Sequence, residues 1–462
     1  MKETEELTQG RVLPHNLEAE LQLLGSLLLN NEAIDEVAGI LRPEDFYKPA
    51  HGIIYKHILK LRDEGESVDI VTLSESLDSS GELEKAGGYS YLSSIADRVA
   101  ISTNYEEYAK IIREKAILRA LILEASKIMN EAYQPQESLD YFFSSVEKRI
   151  FDILERREIE KLVEMKDAIK ENLTIIEQMM LDPYYRPGIP THYDKLDQLI
   201  YGLQPGNFIL LAARPSKGKT SFALNIALKV AAQGYPVLFI SLEMPVRDLV
   251  NRMIANLAEI PLDSIIRGIL SKEYDLPKIY TTADTLMNYD IKFDTKSKTL
   301  YEIRAKIRKF TNEIRRKYKD PDKEGLVIID YLQLLSFGGK FERRELEIAE
   351  ISRALKNLAL ELNIPIMALS QLNREVEKRE RAEPRLSDLR ESGALEQDAD
   401  LIMFIYDPEE GKKKKSEENF QRADDGDCQR LRIKIAKQRN GVQGNVDFLF
   451  CKKFNQFREA DY

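Results

Sequence analysis

The sequence predicts a two-domain chain: an all-α N-terminal domain followed by an α/β domain with a mainly parallel sheet. Three observations predict it. The 462 residues exceed what one hydrophobic core usually organises. Residues 14 to about 155 place apolar side chains at helical spacing. From Asn207 onward, short continuous apolar runs take over, and helical patterns lie between several of them.

In the first half, Leu17, Leu21, Leu24, Leu27 and Leu28 form one helical stripe. Tyr108, Ile111, Ile112, Leu118, Ile122 and Ala125 form a longer one within Asn104 to Tyr133. Phe142, Val146, Ile150 and Ile153 repeat the pattern within Ser138 to Ile153. Turns at Arg42–Pro43 and Gly87–Gly88 separate such segments. With no catalytic cluster, residues 1–155 read as a helical interaction or assembly domain. Residues 156–190 read as a linker helix and connector, because 156–181 is charged and lacks a broad apolar face. Pro183, Pro187 and Pro190 end it. Its short stripe of Leu173, Ile176, Met179 and Met180 is expected to dock elsewhere. Residues 191–462 form the second domain. Its strands are expected at Phe208–Ala212, Pro236–Ile240, Leu326–Ile329, Ile364–Leu369, Leu401–Ile405 and Leu431–Ile435, with helices at Ser221–Gln233 and Ile348–Leu362. A parallel sheet covered on both faces binds ligands at the carboxyl ends of its strands.

Composition limits the function. The formal net charge of −10 excludes an indiscriminate coat on nucleic acid, but not a local basic channel. Cys428 and Cys451 show no metal spacing and are expected to build no disulfide framework, as suits a reducing cytosol. Met1 to Gly10 is polar and acidic, unlike a secretory signal. No apolar run reaches the roughly 20 residues that span a bilayer. The expected location is the cytoplasm, with no membrane partner.

The chemistry begins where the first strand ends. Ala213-Arg214-Pro215-Ser216-Lys217-Gly218-Lys219-Thr220 follows an apolar run and opens a helix. It matches the phosphate-binding pattern G-x-x-x-x-G-K-[ST] except at Ala213. Inward N–H groups and a helix N-terminus cradle phosphate. Gly218 gives the turn its freedom. Lys219 would pair with the outer phosphates, and the Thr220 hydroxyl would ligate Mg²⁺. ATP and Mg²⁺ are therefore the expected cofactors. Lys217 adds a charge beside the cradle or is simply solvated.

Three more strand ends carry polar groups. Asp330 would hold the Mg²⁺ shell, the alternative being a strand-end cap. Glu243 could orient and deprotonate the attacking water, or be a plain exposed carboxylate. Gln371 could sense the γ-phosphate, or be a hydrogen-bonded strand-end amide. On the strand Lys434 to Arg439, Lys437 and Arg439 project to the same side. They could reach a neighbouring subunit's γ-phosphate as an arginine finger, or form a solvated basic edge. Placing the base on a different strand from the metal aspartate is the arrangement of RecA-like P-loop NTPases.

Longer strings resemble one family. Ala212 to Thr220, Ser241-Leu242-Glu243-Met244, Asp388 to Asp400, Lys437 to Gly441 and Pro14 to Glu20 together resemble the DnaB family of replicative DNA helicases, in family order along nearly the whole chain. The resemblance implies a homohexameric ring that translocates 5′ to 3′ on single-stranded DNA and unwinds the replication fork. ATP would sit between subunits, with Lys219, Thr220, Glu243, Asp330 and Gln371 on one side and Lys437 and Arg439 from the neighbour. Arg390, Glu391 and Gly393 would grip the DNA backbone at the pore, Arg390 pairing with phosphate and Gly393 exposing an N–H. The alternative for Arg390 is an ion pair with Glu391 or Asp388. Lys340, Arg343 and Arg344 are weaker pore candidates, equally a solvated basic face. The N-terminal domain would be a collar that binds primase, and a helicase loader is implied as well. Three departures stand out: Lys217 where relatives carry Met, His192 where glycine is common, and an expanded Pro408–Asp427 loop. The other readings are a RecA-like recombinase filament and an ATP-switched assembly protein.

Overall fold

The computed structural model describes residues 12–97, 104–134, scattered positions between 139 and 153, 165–182, 185–320, 323–337, 343–374, 376, 379, 383–389, 393–409 and 428–460. The chain divides into two compact units, Met1–Glu164 and Met165–Tyr462. The expected connector, 156–190, straddles that division.

The first unit is helical. Its helices are α1 (Leu17–Leu29), α2 (Ala33–Ala38), α3 (Pro49–Asp63), α4 (Ile70–Ser79), α5 (Gly88–Asp97) and α6 (Tyr105–Ala132). Asn16 starts α1 by accepting from the Ala19 N–H at 3.0 Å, which satisfies one of the free donors of a first turn. Leu24 and Leu27 of the predicted stripe are fully buried, and so is Leu23 beside them, whereas Leu17 is exposed. Glu20 lies in the same core and is tied there by the Tyr47 N–H at 2.7 Å and by His51 Nδ1 at 2.6 Å. A buried carboxylate needs such partners. The stripe on α6 is only half used. Ile112 is buried and Tyr108 and Ile111 pack beside it, whereas Leu118 and Ile122 are exposed on this chain. Within Ser138–Ile153, the stripe residues Phe142, Val146, Ile150 and Ile153 are each helical and half-buried.

The second unit opens with α7 (Met165–Leu181), whose Leu173, Ile176, Met179 and Met180 are all exposed. After α8 (Asp194–Ile200) comes a nine-stranded sheet ordered β3-β2-β4-β5-β1-β6-β7-β8-β9. The strands are β1 (Phe208–Ala213), β2 (Val237–Ser241), β3 (Ile291–Asp294), β4 (Leu326–Asp330), β5 (Ile366–Gln371), β6 (Leu401–Tyr406), β7 (Cys428–Gln438), β8 (Gly444–Cys451) and β9 (Gln456–Glu459). The first six in that order pair in parallel; β7, β8 and β9 continue antiparallel. Strand alternation sends Ile209 and Leu211 into one core and Phe208 and Leu210 into the other. The connecting helices are α9 (Lys219–Ala232), α10 (Val246–Ala258), α11 (Leu262–Arg267), α12 (Asp275–Met287), α13 (Leu300–Tyr318), α14 (Arg344–Leu362) and α15 (Gly393–Asp398). Helices α9 and α10 pack into the first core; α13 and α14 pack into the second. Both sheet faces are thus covered, which explains why the strands read as unbroken apolar runs.

His192 adopts φ 58°, a left-handed conformation that costs a side-chain-bearing residue strain and that glycine adopts freely. Among the described residues no helix is long and apolar enough to cross a membrane.

The cysteine expectation is corrected. Cys428 and Cys451 are disulfide-bonded. Although 23 residues apart, they lie directly opposite in the β7–β8 register. Sequence spacing hides this, because the pairing is set by the hairpin and not by a cysteine pattern.

The same hairpin is pinned by Asp447, which is buried. It accepts from Arg432 Nε at 2.6 Å and Nη2 at 2.9 Å, and from Arg430 Nη2 at 2.6 Å. The Arg432 hydrogen bonds, joined by those of Arg430, hold its carboxyl below the usual carboxylate range against the opposing effect of burial. A depressed carboxyl contributes stability above the unfolded value, and that stability is lost as pH falls through the lower folded value. Asp447→Ala is therefore expected to cost about 2 kcal/mol at neutral pH, less than for a fully buried pair because both arginines reach solvent. Urea unfolding should show the gap between parent and variant closing as the carboxyl protonates.

Candidate nucleotide site

The carboxyl ends of β1, β2, β4 and β5 converge on a cleft of about 510 Å³. Ala213, Arg214, Pro215, Ser216, Gly218, Lys219 and Thr220 line it, together with Glu243 and Gln371. Lys217 is the one cradle residue outside that lining. The loop from β1 to α9 reverses through two left-handed residues, Ser216 at φ 66° and Gly218 at φ 80°. At Gly218 a side chain has no room: a Cβ would lie 2.9 Å from the Phe457 ring and 3.1 Å from Phe450. Glycine is required there on both counts.

Lys219 begins α9, and Thr220 follows it. The Thr220 hydroxyl donates to Asp330 Oδ2 at 2.7 Å. Lys219 Nζ lies 3.9 Å from Asp330 Oδ1 and 4.3 Å from the centre of the Tyr331 ring. Burial pulls the Lys219 ammonium below its ordinary range, while the carboxylates of Asp330 and Glu243 oppose that shift. Burial pushes the Asp330 carboxyl up, opposed by Lys219 and the Thr220 hydrogen bond. Asp330 is fully buried, yet its Oδ1 has no hydrogen-bond partner among the described residues. An orphaned carboxylate oxygen beside a hydroxyl is a donor set for a hard cation that takes its remaining ligands from phosphate and water. Among the described residues no cluster of three or more His, Cys, Asp or Glu could hold a metal by itself. The residues therefore fit Mg²⁺ arriving with a nucleotide.

Glu243 is exposed to the cleft at the turn after β2. Ser241 shapes that turn: its hydroxyl donates to the Met244 carbonyl at 2.9 Å and accepts from the Met244 N–H at 3.0 Å. Gln371 closes the cleft at the end of β5.

Sequence reasoning missed Arg252 and Asn455, which also line the cleft. Arg252 on α10 donates to Asn455 Oδ1 at 3.1 Å. Burial lowers its guanidinium, opposed by Asp248, Asp330 and Glu243. The available signal was a cation on an otherwise apolar helix face, beside the buried Leu249 and Met253. Asn455 accepts from the Ser221 hydroxyl at 2.5 Å and ties α9 to the segment before β9.

Lys437 and Arg439 do not line this cleft. Lys437 Nζ donates to the carbonyls of Glu396 at 2.6 Å and Gln397 at 3.1 Å; Arg439 Nη2 donates to the Gln397 carbonyl at 2.7 Å. Both cations thus sit at the carboxyl end of α15, on the same side of the chain. Arg390 and Glu391 lie outside the described residues, as do Lys340 and most of the Pro408–Asp427 loop. Gly393 is the first residue of α15. Asp388, one alternative partner named for Arg390, is held by another arginine. It is buried and bound by Arg379 through both guanidinium arms, at 2.7 and 2.5 Å. Arg344 bonds the Gln333 and Leu335 carbonyls and pairs with Glu347, so it is not simply a solvated basic residue.

A parallel sheet with a phosphate cradle after β1, a carboxylate after β2 and an aspartate ending β4 defines a RecA-like P-loop ATPase. The family model described as the DnaB-like helicase C terminal domain matches residues 188–459, and that of the DnaB-like helicase N terminal domain matches residues 12–114. The replicative DNA helicase DnaB of Geobacillus stearothermophilus is 39% identical over 98% of this chain and 96% of its own length. The replicative DNA helicase DnaC of Bacillus subtilis (strain 168) is equally similar over the same shares. A solved DnaB-like replicative helicase, described with its interactions with primase, is 32% identical at a TM-score of 0.67, covering 96% of this chain and 99% of that one. The chain belongs to the DnaB-like family of replicative DNA helicases and is an ATP-dependent enzyme.

Proposed function

We propose that this chain is the motor subunit of a hexameric ring that moves 5′ to 3′ along single-stranded DNA and unwinds the duplex at the replication fork. The observation that carries the reading is the division of cations. Lys219, Thr220, Glu243 and Gln371 line one cleft, with Asp330 bonded to Thr220 behind it, while Lys437 and Arg439 are anchored on α15 and do not line it. A second copy that brings its Lys437 and Arg439 to this cleft completes the site.

In this reading the cradle residues 213–220 hold the phosphates of ATP, and Thr220 with Asp330 hold Mg²⁺, which neutralises developing charge when bound. Glu243 accepts the proton of the attacking water. Gln371 reports the γ-phosphate to the strand that follows it. Arg390, Glu391 and Gly393 grip the DNA backbone. Residues 1–155 form a collar for primase, 156–190 link the collar to the motor in 191–462, and a loader places the ring on DNA in the cytoplasm.

Fork substrates with either a 5′ or a 3′ single-stranded tail, combined with native mass measurement, test the proposal. The expected result is unwinding of the 5′-tailed fork by a species of six chains. An open filament of indefinite length indicates a recombinase. ATP hydrolysis indifferent to single-stranded DNA indicates a switch. Either result would overturn the ring motor.

A further inference from the structure

We infer that Gln333 is a positioning residue that couples the Asp330 turn to the strand end carrying Gln371, and through it to the Asp388–Leu389 segment. The inference rests on the ring-motor reading above and extends it to a residue outside the nucleotide cleft.

Strand β5 is held on two sides, but unequally. On the β1 side the ladder runs its full length, to Ala213 opposite Gln371. On the β4 side it stops at Ile329 opposite Ala368. Ser370 and Gln371 therefore extend beyond backbone pairing with β4, just where Gln371 must be aimed at a phosphate. The side chain of Gln333, three residues beyond Asp330, fills that position. Its Nε2 donates to the Ser370 hydroxyl at 2.8 Å, and its Oε1 accepts from the Gln371 N–H at 3.3 Å. Ser370 is fully buried, so this is an internal tie and not a surface contact. One amide thus replaces a missing ladder step with a side-chain bridge, which moves with the turn that carries Asp330 and Tyr331.

The two ends of the bridge lead in useful directions. Behind Gln333, Arg344 bonds its carbonyl at 3.0 Å and that of Leu335 at 2.6 Å, fixing the turn to α14. Beyond Gln371, Leu372 forms an isolated antiparallel bridge with Leu389, and the Asn373 N–H donates to the Asp388 carbonyl at 2.9 Å. Asp388 is itself clamped by Arg379. A path of chain and hydrogen bonds therefore runs from the turn after the metal-side aspartate, through the Gln333 amide, to the segment that leads into Arg390. Such a path transmits a change only if its links are specific, and the Gln333 amide, with one bond to Ser370 and one to Gln371, is a specific side-chain link between β4's exit and β5.

The test is Gln333→Leu, which keeps the volume and removes both hydrogen bonds. We expect the affinity for a non-hydrolysable ATP analogue, the KM for ATP and the melting temperature to stay near those of the parent. Hydrolysis without DNA should also hold, while kcat with saturating single-stranded DNA falls about tenfold. Stimulation equal to the parent's overturns the inference, and so does a parallel loss of nucleotide affinity and melting temperature, which marks a merely structural role. Should Gln333→Leu fail to fold, Ser370→Ala removes one of the two bonds; it should lower the stimulated kcat about threefold, and unchanged stimulation overturns the inference. The parent protein separates the two readings. If DNA does not stimulate it, ring motor and relay fall together; if it is stimulated and the variants match it, the relay alone falls.

Discussion

Lys219→Ala should abolish ATP hydrolysis, with kcat falling about a thousandfold or more while the fold survives. The size follows from where the ammonium sits. Lys219 is largely withdrawn from water, its side chain 13% exposed, so its charge acts across a poorly screened gap. Burial pulls its ammonium below the ordinary range, and the carboxylates of Asp330 and Glu243 oppose that shift. A bound triphosphate adds a partner that gains negative charge as the γ-phosphoryl transfers, so the ammonium contributes more in the transition state than before it. Alanine also leaves Asp330 without its cation, which lowers stability in the absence of nucleotide and must be measured apart from turnover. Phosphate release at saturating ATP with single-stranded DNA reads the first effect; thermal unfolding reads the second. Turnover within tenfold of the parent would remove Lys219 from the phosphate site and with it the assignment of the cleft.

Four of the residues legible from sequence share one property: each stands at or just beyond the end of a buried strand. Ala213, Asp330 and Gln371 end runs whose every preceding residue is buried, and Glu243 follows such a run by two residues. Strands covered on both faces announce themselves as unbroken apolar runs, and chemistry gathers where those runs stop. What escaped reading depends on contacts distant in sequence. Arg252 meets Asn455 across 203 positions, because α10 and the β8–β9 turn fold onto the same side of α9. The Cys428–Cys451 bond needs the register of a hairpin, which the Asn440–Gly441 turn signal does not fix by itself. The basic cluster Lys340, Arg343 and Arg344 looked uniform by charge, yet Arg344 is spent on the carbonyls of the Gln333 turn. The Asp388–Asp400 string carried the family signal, but part of it serves architecture. Asp400 accepts from the Phe208 N–H at 2.8 Å and pairs with Lys356 at 2.7 Å, fixing the start of β1 to α14. A motif can thus identify a family through residues that build the scaffold as well as those that touch ligand.

Arg439→Ala should bind ATP as the parent does and hydrolyse it about a thousandfold more slowly. Arg439 is outside its own chain's cleft, so ATP affinity set by the cradle is untouched. Its loss should not collapse the fold, because Asp400 keeps Lys356 and the Phe208 N–H, and Lys437 keeps the α15 carbonyls. Those carbonyls form the negative end of a helix and hold two cations side by side that would otherwise repel. Such an arrangement presents both charges outward as a unit, ready for an anion supplied by another molecule. Mixing distinguishes this from action within one chain. Combine Arg439→Ala subunits with Glu243→Ala subunits, each inactive alone. If the finger acts across an interface, a Glu243 from one variant and an Arg439 from the other reconstitute a complete site. Random assembly at equal proportions makes about a quarter of the interfaces complete, so hydrolysis should reappear and peak near that ratio. A finger that served its own chain would leave every subunit defective, and no ratio would restore turnover.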